Sequence, residues 1–254
     1  MHDYEDFDHH EGLDEWSSMN GHPPDDGQHV GETSLVEYQP TLEVPETFSP
    51  DTAFPYAGDP GTDTALWHQQ EQPDTCAIAS QEFVLESLTG QPFSEAQLTQ
   101  EAEEHGWYQP GAGTPVNDMN ALLTYHGIPS ESHTDGTVPD IEQALNSGDK
   151  VIVSVDGEEL HQWSGDQTLD DLNDTIPGQG ADHAVEVTGL VQTADGPMVV
   201  LNDPGLPGGG GCMVPVEQFE NAWADSGNVM IIAGPTADSS HDELSAGTMR
   251  EAAR

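Results

Sequence analysis

The sequence predicts a domain of the α+β class, with a helical N-terminal half packed on an antiparallel β-sheet. Apolar residues recur at helical spacing between residues 76 and 146, and strand-length apolar runs follow between residues 151 and 233. Because the helices precede the strands and do not alternate with them, the pattern disfavours a doubly wound parallel fold. The patterned stretch of about 175 residues is ample for one hydrophobic core.

Composition divides the chain of 254 residues into three parts. Residues 1–60 lack hydrophobic periodicity and are rich in Asp, Glu, His, Pro and Gly, so we expect a disordered acidic arm. Residues 61–235 form the predicted folded domain, and residues 236–254 form a polar tail. The hydrophobic content of 34% is low for a chain folded from end to end, which agrees with this division.

Caps and breaker residues delimit four predicted helices in the domain. Asp74-Thr75 offers a cap for a largely buried helix that begins near Cys76. Ser94 and Gln97 have capping-box spacing for the second helix, and a Thr-Pro pair at 114–115 predicts the start of the third. The predicted helices span 76–88, 94–104, 115–127 and 139–146.

The second half of the domain changes to the two-residue period of strands. Predicted strands span 151–155, 183–190, 198–202 and 229–233, with a helix at 215–223. Pairing His183 with Asp203 needs a turn centred on residue 193, whereas the local turn signal Asp195-Gly196 lies slightly later. The glycine-rich run 207–211 is expected to be a loose surface loop.

The formal charge of −45, from 48 acidic and 3 basic residues, excludes two classes of partner. Nucleic acids and anionic lipid surfaces both need clustered Lys and Arg, and the predicted domain contains only Lys150. No apolar run is long enough to span a membrane and no secretory signal begins the chain, so we expect a cytoplasmic location, with non-classical export left open. Self-repulsion favours a monomer, and the acidic surface would steer basic substrates.

Cys76 is the candidate nucleophile, because the free N–H groups and the dipole at a helix start favour a thiolate. The alternative is a buried cysteine that packs as a small hydrophobe. His183, at a strand start, is the candidate base, while His161 and His105 are weaker candidates in polar or loop sequence. The other cysteine, Cys212, makes neither a disulfide scaffold nor a CxxC zinc site, and whether the two cysteines pair stays open.

Asp203 and a glutamine complete the candidate site. Asp203 closes the strand after that of His183, where a carboxylate can accept the imidazole N–H and fix its tautomer; a plain Asp-Pro-Gly turn is the alternative. A glutamine side chain and the Cys76 backbone N–H can together stabilise an oxyanion. The glutamines shortly before the cysteine are Gln69, Gln70 and Gln72.

The joint order of these groups resembles the papain-like cysteine peptidases. The nearer match is the bacteriocin-processing family, family thirty-nine of the cysteine peptidases, with its stand-alone relatives. The segments that carry the resemblance are 70–80, 182–185 and 201–205, supported by Gly106-Trp107 and residues 113–115. It covers roughly residues 65–235 and implies a papain-like fold.

The resemblance also implies an activity and a set of roles. In that family the glutamine stands six residues before the cysteine, which implies Gln70 as the oxyanion donor. Cys76 would be the nucleophile, His183 the general base and then acid, and Asp203 its orienting group, in a hydrolase of peptide or isopeptide bonds. Ala77 departs from the glycine of the best-known members, which are usually fused to a transporter; no transporter is present, so leader cleavage is not implied.

Other functions stay open on this sequence. The fold could be a catalytically silent binding module, which the intact Cys-His-Asp-Gln set disfavours, or the same triad could perform acyl transfer or deamidation. A weaker hypothesis makes the acidic arm, with its histidines, a cation binder, although no ligand spacing there supports a metal site. The sequence predicts no cofactor, and a peptide or protein as the substrate.

Overall fold

The structure, a computed structural model, describes residues 46–161 and 180–234. The predicted arm up to residue 45 and the predicted tail from residue 236 lie outside the described residues. The strands are β1 (Phe54–Gly58), β2 (Ser130–His133), β3 (Lys150–Val155), β4 (His183–Gln192), β5 (Pro197–Asn202), β6 (Gly210–Pro215) and β7 (Met230–Ala233). The helices are α1 (Pro60–Asp63), α2 (Cys76–Thr89), α3 (Glu95–His105), α4 (Ala121–Tyr125), α5 (Val138–Asn146), α6 (Gly157–His161) and α7 (Val216–Ala224). None of these helices is both long and apolar enough to cross a membrane.

The seven described strands form one antiparallel sheet, in which six follow the order β2-β7-β3-β4-β5-β6 and β1 pairs with β4. The long strand β4 lies at its centre, and β5 pairs along one edge of it. Along the other edge, β3 pairs with the start of β4, where Val155 lies opposite His183, and β1 pairs further on, where Gly58 lies opposite Gly189. The predicted α+β class with an antiparallel sheet is confirmed.

Helices cover both faces of the sheet. On one face, Ile152, Ala184 and Ile231 pack with buried side chains of α2, α3 and α4. On the other face, Val153 and Val185 pack with buried side chains of α5 and α7. The predicted packing of the helical half on the sheet is therefore confirmed, and the later helices complete a second layer.

A buried polar cluster fixes the end of β5 that precedes Asp203. Lys150 Nζ donates to Asp63 Oδ1 at 2.7 Å and to Oδ2 at 2.6 Å. Asn202 Nδ2 donates to Glu186 Oε2 at 2.8 Å and to the Asp63 carbonyl at 3.0 Å. Burial and the neighbouring Asp63 charge raise the pKa of Glu186 to about 8.

The predicted helix at 115–127 is not continuous, and only part of it is α-helical. A short 3-10 turn (Val116–Asp118) precedes α4, and Asn120 between them leaves helical geometry with φ −118° and ψ 8°. The side chain of Gln81, in α2, accepts hydrogen bonds from the Leu122 and Leu123 amides at 3.1 and 3.4 Å. This cap from another helix supplies partners for the first N–H groups of α4, so the helix starts there.

Two strands lie where the sequence indicated irregular chain. β1 falls within the predicted arm, so the predicted boundary at residue 61 is too late; Gly58 allows close approach to β4, since a Cβ there would lie 2.3 Å from the Thr188 carbonyl oxygen. β6 includes the end of the glycine-rich run, because Gly210 packs against Trp67, where a Cβ would lie 3.1 Å from the side chain. Small residues at these positions serve close backbone packing.

The predicted strand register and two predicted caps also differ from the structure. Pairing of β4 with β5 runs from Glu186 opposite Asn202 to Gln192 opposite Pro197, so the turn lies later than residue 193. A bulge in this pair shifts the register. Neither Thr75 before α2 nor Ser94 before α3 makes a side-chain hydrogen bond to the start of its helix, so neither predicted side-chain cap forms.

Candidate active site

Cys76 is the first residue of α2 and is partly exposed. The first N–H groups of a helix have no partner within that helix, so they favour negative charge close to the thiol. Ser80, one turn further along α2, donates from Oγ to the Ala184 carbonyl at 3.2 Å. This contact ties the helix that carries Cys76 to the strand that carries His183.

His183 begins β4 and lies between the thiol of Cys76 and the carboxylate of Asp203. Its Nε2 lies 2.8 Å from Asp203 Oδ1, and the Cys76 side chain lies beside its ring. Burial opposes the charged form, but the Asp203 carboxylate and Cys76 raise the pKa of His183 well above its ordinary value. The imidazole is therefore held as a cation beside the thiol.

Asp203 follows β5 and is fully buried. Its Oδ1 accepts from His183 and from the Gly205 amide at 2.7 Å. Burial would raise the pKa of Asp203, but His183 and His161 hold it far below its usual range. Gly205 is required at this turn, because a Cβ there would lie 2.9 Å from His183 Cε1.

His161 is a second histidine on the same carboxylate. Its Nε2 lies 2.7 Å from Asp203 Oδ2, so the two oxygens of Asp203 contact different imidazoles. The sequence placed His161 among the weaker candidates because it lies in polar sequence. No local signal identifies it, since the contact joins the end of α6 to a residue 42 positions later.

Trp67 is a contact of Asp203 that the sequence did not indicate. Its Nε1 donates to the Asp203 carbonyl at 2.6 Å, and its ring packs on Gly210 at the start of β6. The indole therefore fixes the backbone of Asp203, while the two histidines contact its carboxylate. Tryptophan in loop sequence more often signals packing, so the pattern could not single it out.

Gln70 lies beside Asp203, because its amide N–H donates to the Pro204 carbonyl at 2.9 Å. Its side-chain Nε2 donates to the Gln72 carbonyl at 2.6 Å, while its buried Oε1 has no hydrogen-bond partner among the described residues. Gln72 is exposed. Of the candidate glutamines, Gln70 is thus anchored next to Asp203 by its backbone. Its side-chain Nε2 is held by the Gln72 carbonyl.

The remaining sequence candidates lie elsewhere. His105 is exposed at the end of α3 and stacks on Trp107, with ring centroids 4.5 Å apart. Cys212 is fully buried in β6, and both cysteines are free. Burial, with the nearby Asp203 charge, raises the pKa of the Cys212 thiol above its usual range. Neither residue belongs with Cys76 and His183.

The sequence of the chain is similar to a known protein family and to proteins of two mycobacteria. The model of the Peptidase_C39 like family matches residues 62–231. Uncharacterized proteins Mb1299c of Mycobacterium bovis and Rv1268c of Mycobacterium tuberculosis are each 34% identical over 200 residues, which is 69% of this chain and 83% of each relative.

Two crystal structures are similar to the chain at low sequence identity. A Bacillus anthracis protein described as a C39-like peptidase matches with a TM-score of 0.49 and 15% identity, over 66% of this chain and 94% of its own. The second structure is the peptidase domain of Streptococcus ComA, a protein described as a bi-functional ABC transporter involved in a quorum-sensing pathway. It matches with a TM-score of 0.46 and 17% identity, over 66% of this chain and 98% of its own.

Proposed function

Because the chain belongs to the Peptidase_C39 like family, we propose that it is a cysteine peptidase with Cys76 as its nucleophile. One observation carries the proposal: the His183 ring lies between the Cys76 thiol and the buried Asp203 carboxylate. A nucleophilic cysteine needs a neighbouring base, and that base needs a group that orients it. The three side chains supply these parts.

The proposed reaction starts from a thiolate at Cys76 and an imidazolium at His183. The thiolate sulfur forms a bond to the carbonyl carbon of the scissile peptide, and the carbonyl oxygen becomes an oxyanion. His183 gives its proton to the leaving amine, which departs and leaves a thioester. The neutral His183 then takes a proton from a water molecule, whose oxygen attacks the thioester carbon. The C–S bond breaks, which releases the carboxylic acid product and restores the Cys76 thiolate.

Gln70 is the proposed oxyanion donor, together with the Cys76 backbone N–H. Its anchored backbone beside Pro204 supports this role over exposed Gln72. The Nε2 group must leave the Gln72 carbonyl to reach the substrate, so we expect the side chain to rotate when substrate binds.

The acidic domain favours peptides with basic residues near the scissile bond.

The thiolate–imidazolium pair is tested by the pH dependence of iodoacetamide alkylation. We expect Cys76 to react faster than free N-acetylcysteine at neutral pH, because the His183 cation lies beside its sulfur. The His183→Ala variant should lose this advantage, and His105→Ala should keep it. Peptide mapping assigns the label, and buried Cys212 should stay unlabelled in the folded protein. An identical Cys76 profile in the parent and in His183→Ala contradicts the proposal.

His161 is a proposed positioning residue, which acts on His183 through Asp203. We expect His161→Leu to lower kcat about 10- to 100-fold with little change in KM, because Asp203 loses a contact that fixes its carboxylate. His161→Gln, which can still donate to Asp203 Oδ2, should recover part of the loss. Peptide hydrolysis kinetics measure both values, with His105→Leu as the control. Equal kcat in the parent and His161→Leu would show that the contact has no role in positioning.

A further inference from the structure

A second group of titratable side chains lies apart from the His183–Asp203 contact. It consists of His68 in the loop before α2, Glu82 in α2 and Glu95 at the start of α3. Glu82 is 4% exposed and Glu95 is 3% exposed, whereas the His68 side chain is 39% exposed. One ligand atom from each residue can be chosen so that all three lie within 4.8 Å of one another.

The Glu82 carboxylate is incompletely satisfied. Its Oε2 lies 3.2 Å from His68 Nε2, yet this buried oxygen has no hydrogen-bond partner among the described residues. A buried carboxylate oxygen without such a partner carries a desolvation cost that a cation would offset.

Other cations cannot neutralise this cluster within the described residues. Lys150 is the sole lysine or arginine there, and its ammonium group pairs with Asp63 at 2.6 Å. Two buried carboxylates thus share one imidazole.

The donor set has the chemistry of a transition-metal site. Imidazole nitrogen with carboxylate oxygen suits Zn²⁺ and similar ions better than Mg²⁺ or Ca²⁺, which prefer oxygen ligands alone. Bonds of about 2.0–2.2 Å at the tetrahedral angle place two ligand atoms about 3.3–3.6 Å apart. His68 Nε2 and Glu82 Oε2, at 3.2 Å, lie slightly closer together than that spacing, and His68 Nδ1 and Glu95 Oε2, at 3.7 Å, lie slightly farther apart. The exposed side of His68 leaves room for water ligands.

We propose that His68, Glu82 and Glu95 form a binding site for a divalent transition-metal ion of the Zn²⁺ class. The ion replaces the proton on the His68 nitrogen that faces it and bonds to one oxygen from each glutamate. Sequence spacing gives no sign of the site, because its ligands come from a loop and two separate helices.

The site is connected to the segment that precedes Cys76. Glu95 accepts hydrogen bonds from the Glu71 amide at 2.9 and 3.0 Å and from Thr75 Oγ1 at 2.6 Å. An ion on Glu95 would therefore fix both ends of the segment 71–75, next to Gln70 and Cys76. This effect on catalysis rests on the proposed peptidase function, whereas ion binding itself does not.

The test is a Zn²⁺ titration of the full chain by isothermal calorimetry. The parent for this experiment is Cys76→Ser, because a thiolate would itself bind zinc. Histidines outside the described residues contribute equally to every variant. We expect Glu82→Gln and His68→Gln each to bind one zinc equivalent fewer than the parent. The control His126→Gln, which removes an isolated His–Glu pair (Nε2 to Glu101 Oε2, 2.8 Å), should bind as the parent does.

Equal zinc stoichiometry in all four proteins would overturn the proposal. Glu82→Gln alters a buried side chain, so thermal unfolding followed by circular dichroism checks that it folds. His68→Gln alters a partly exposed side chain and decides the result if Glu82→Gln does not fold. Alkylation of Cys76 in the unmutated protein is measured separately, so a failed metal site and a failed peptidase proposal give different results.

Discussion

Replacement of Cys76 by alanine is expected to lower kcat/KM for peptide hydrolysis by about 10⁴-fold or more. The proposed reaction has no other nucleophile, since the second cysteine, Cys212, is buried and its thiol pKa is raised. Without the sulfur, no thioester can form. The effect should fall on kcat, because peptide binding does not need the thiol. Hydrolysis of a synthetic peptide library, followed by mass spectrometry, measures it.

The matched control for this experiment is Cys212→Ala. It removes the only other thiol and should leave the cleavage pattern unchanged. The library should contain basic, neutral and acidic peptides of equal length, since the proposed preference is for basic residues. Cleavage that survives in Cys76→Ala would show that another group performs the reaction. Cleavage that is lost equally in Cys212→Ala would show that the loss reflects folding.

Local patterns predicted the secondary structure well where the stabilising contacts are themselves local. α5 is an example, because Thr137 and Asp140 form a reciprocal cap at its start and a proline occupies its first turn. α4 is the counterexample, since its first amides are capped by Gln81 from another helix. β1 was missed for a similar reason: its partner is a segment of β4 that lies far away in the sequence.

Some residues of the candidate site are indicated by the sequence, whereas others are brought to it only by the tertiary fold. The sequence order of Cys76, His183 and Asp203 allowed these residues to be proposed together, and the sheet brings His183 and Asp203 within 2.8 Å. His161 and Trp67 reach Asp203 only through the tertiary fold, over separations of 42 and 136 residues. No periodicity or motif encodes such a contact. The orientation of the Gln70 side chain could not be predicted from the sequence either, because it depends on a hydrogen bond to the Gln72 carbonyl.

Asp203→Ala is expected to destabilise the fold by about 3–5 kcal/mol, because it removes a fully buried carboxylate that two partly buried imidazoles contact. Peptide hydrolysis should also fall by about 10³-fold, because His183 loses the group that orients it. Asp203→Asn should lose less, since an amide oxygen can still accept the His183 N–H. Chemical denaturation measures the stability difference, and steady-state kinetics measure the rates.

The stability difference between the parent and Asp203→Ala should depend on pH, because the pKa values of both His183 and Asp203 are shifted in the folded protein. The raised pKa of His183 contributes stability that is complete below about pH 6.5 and is lost as pH rises through the folded-state value. The lowered pKa of Asp203 contributes stability that is present above about pH 4 and is lost only in stronger acid. The difference in unfolding free energy between the parent and Asp203→Ala should therefore be largest at about pH 4–6.5 and decrease as the pH rises through the folded-state pKa of His183. A difference that stays constant or increases at alkaline pH would show that the imidazole–carboxylate contact is not an ion pair.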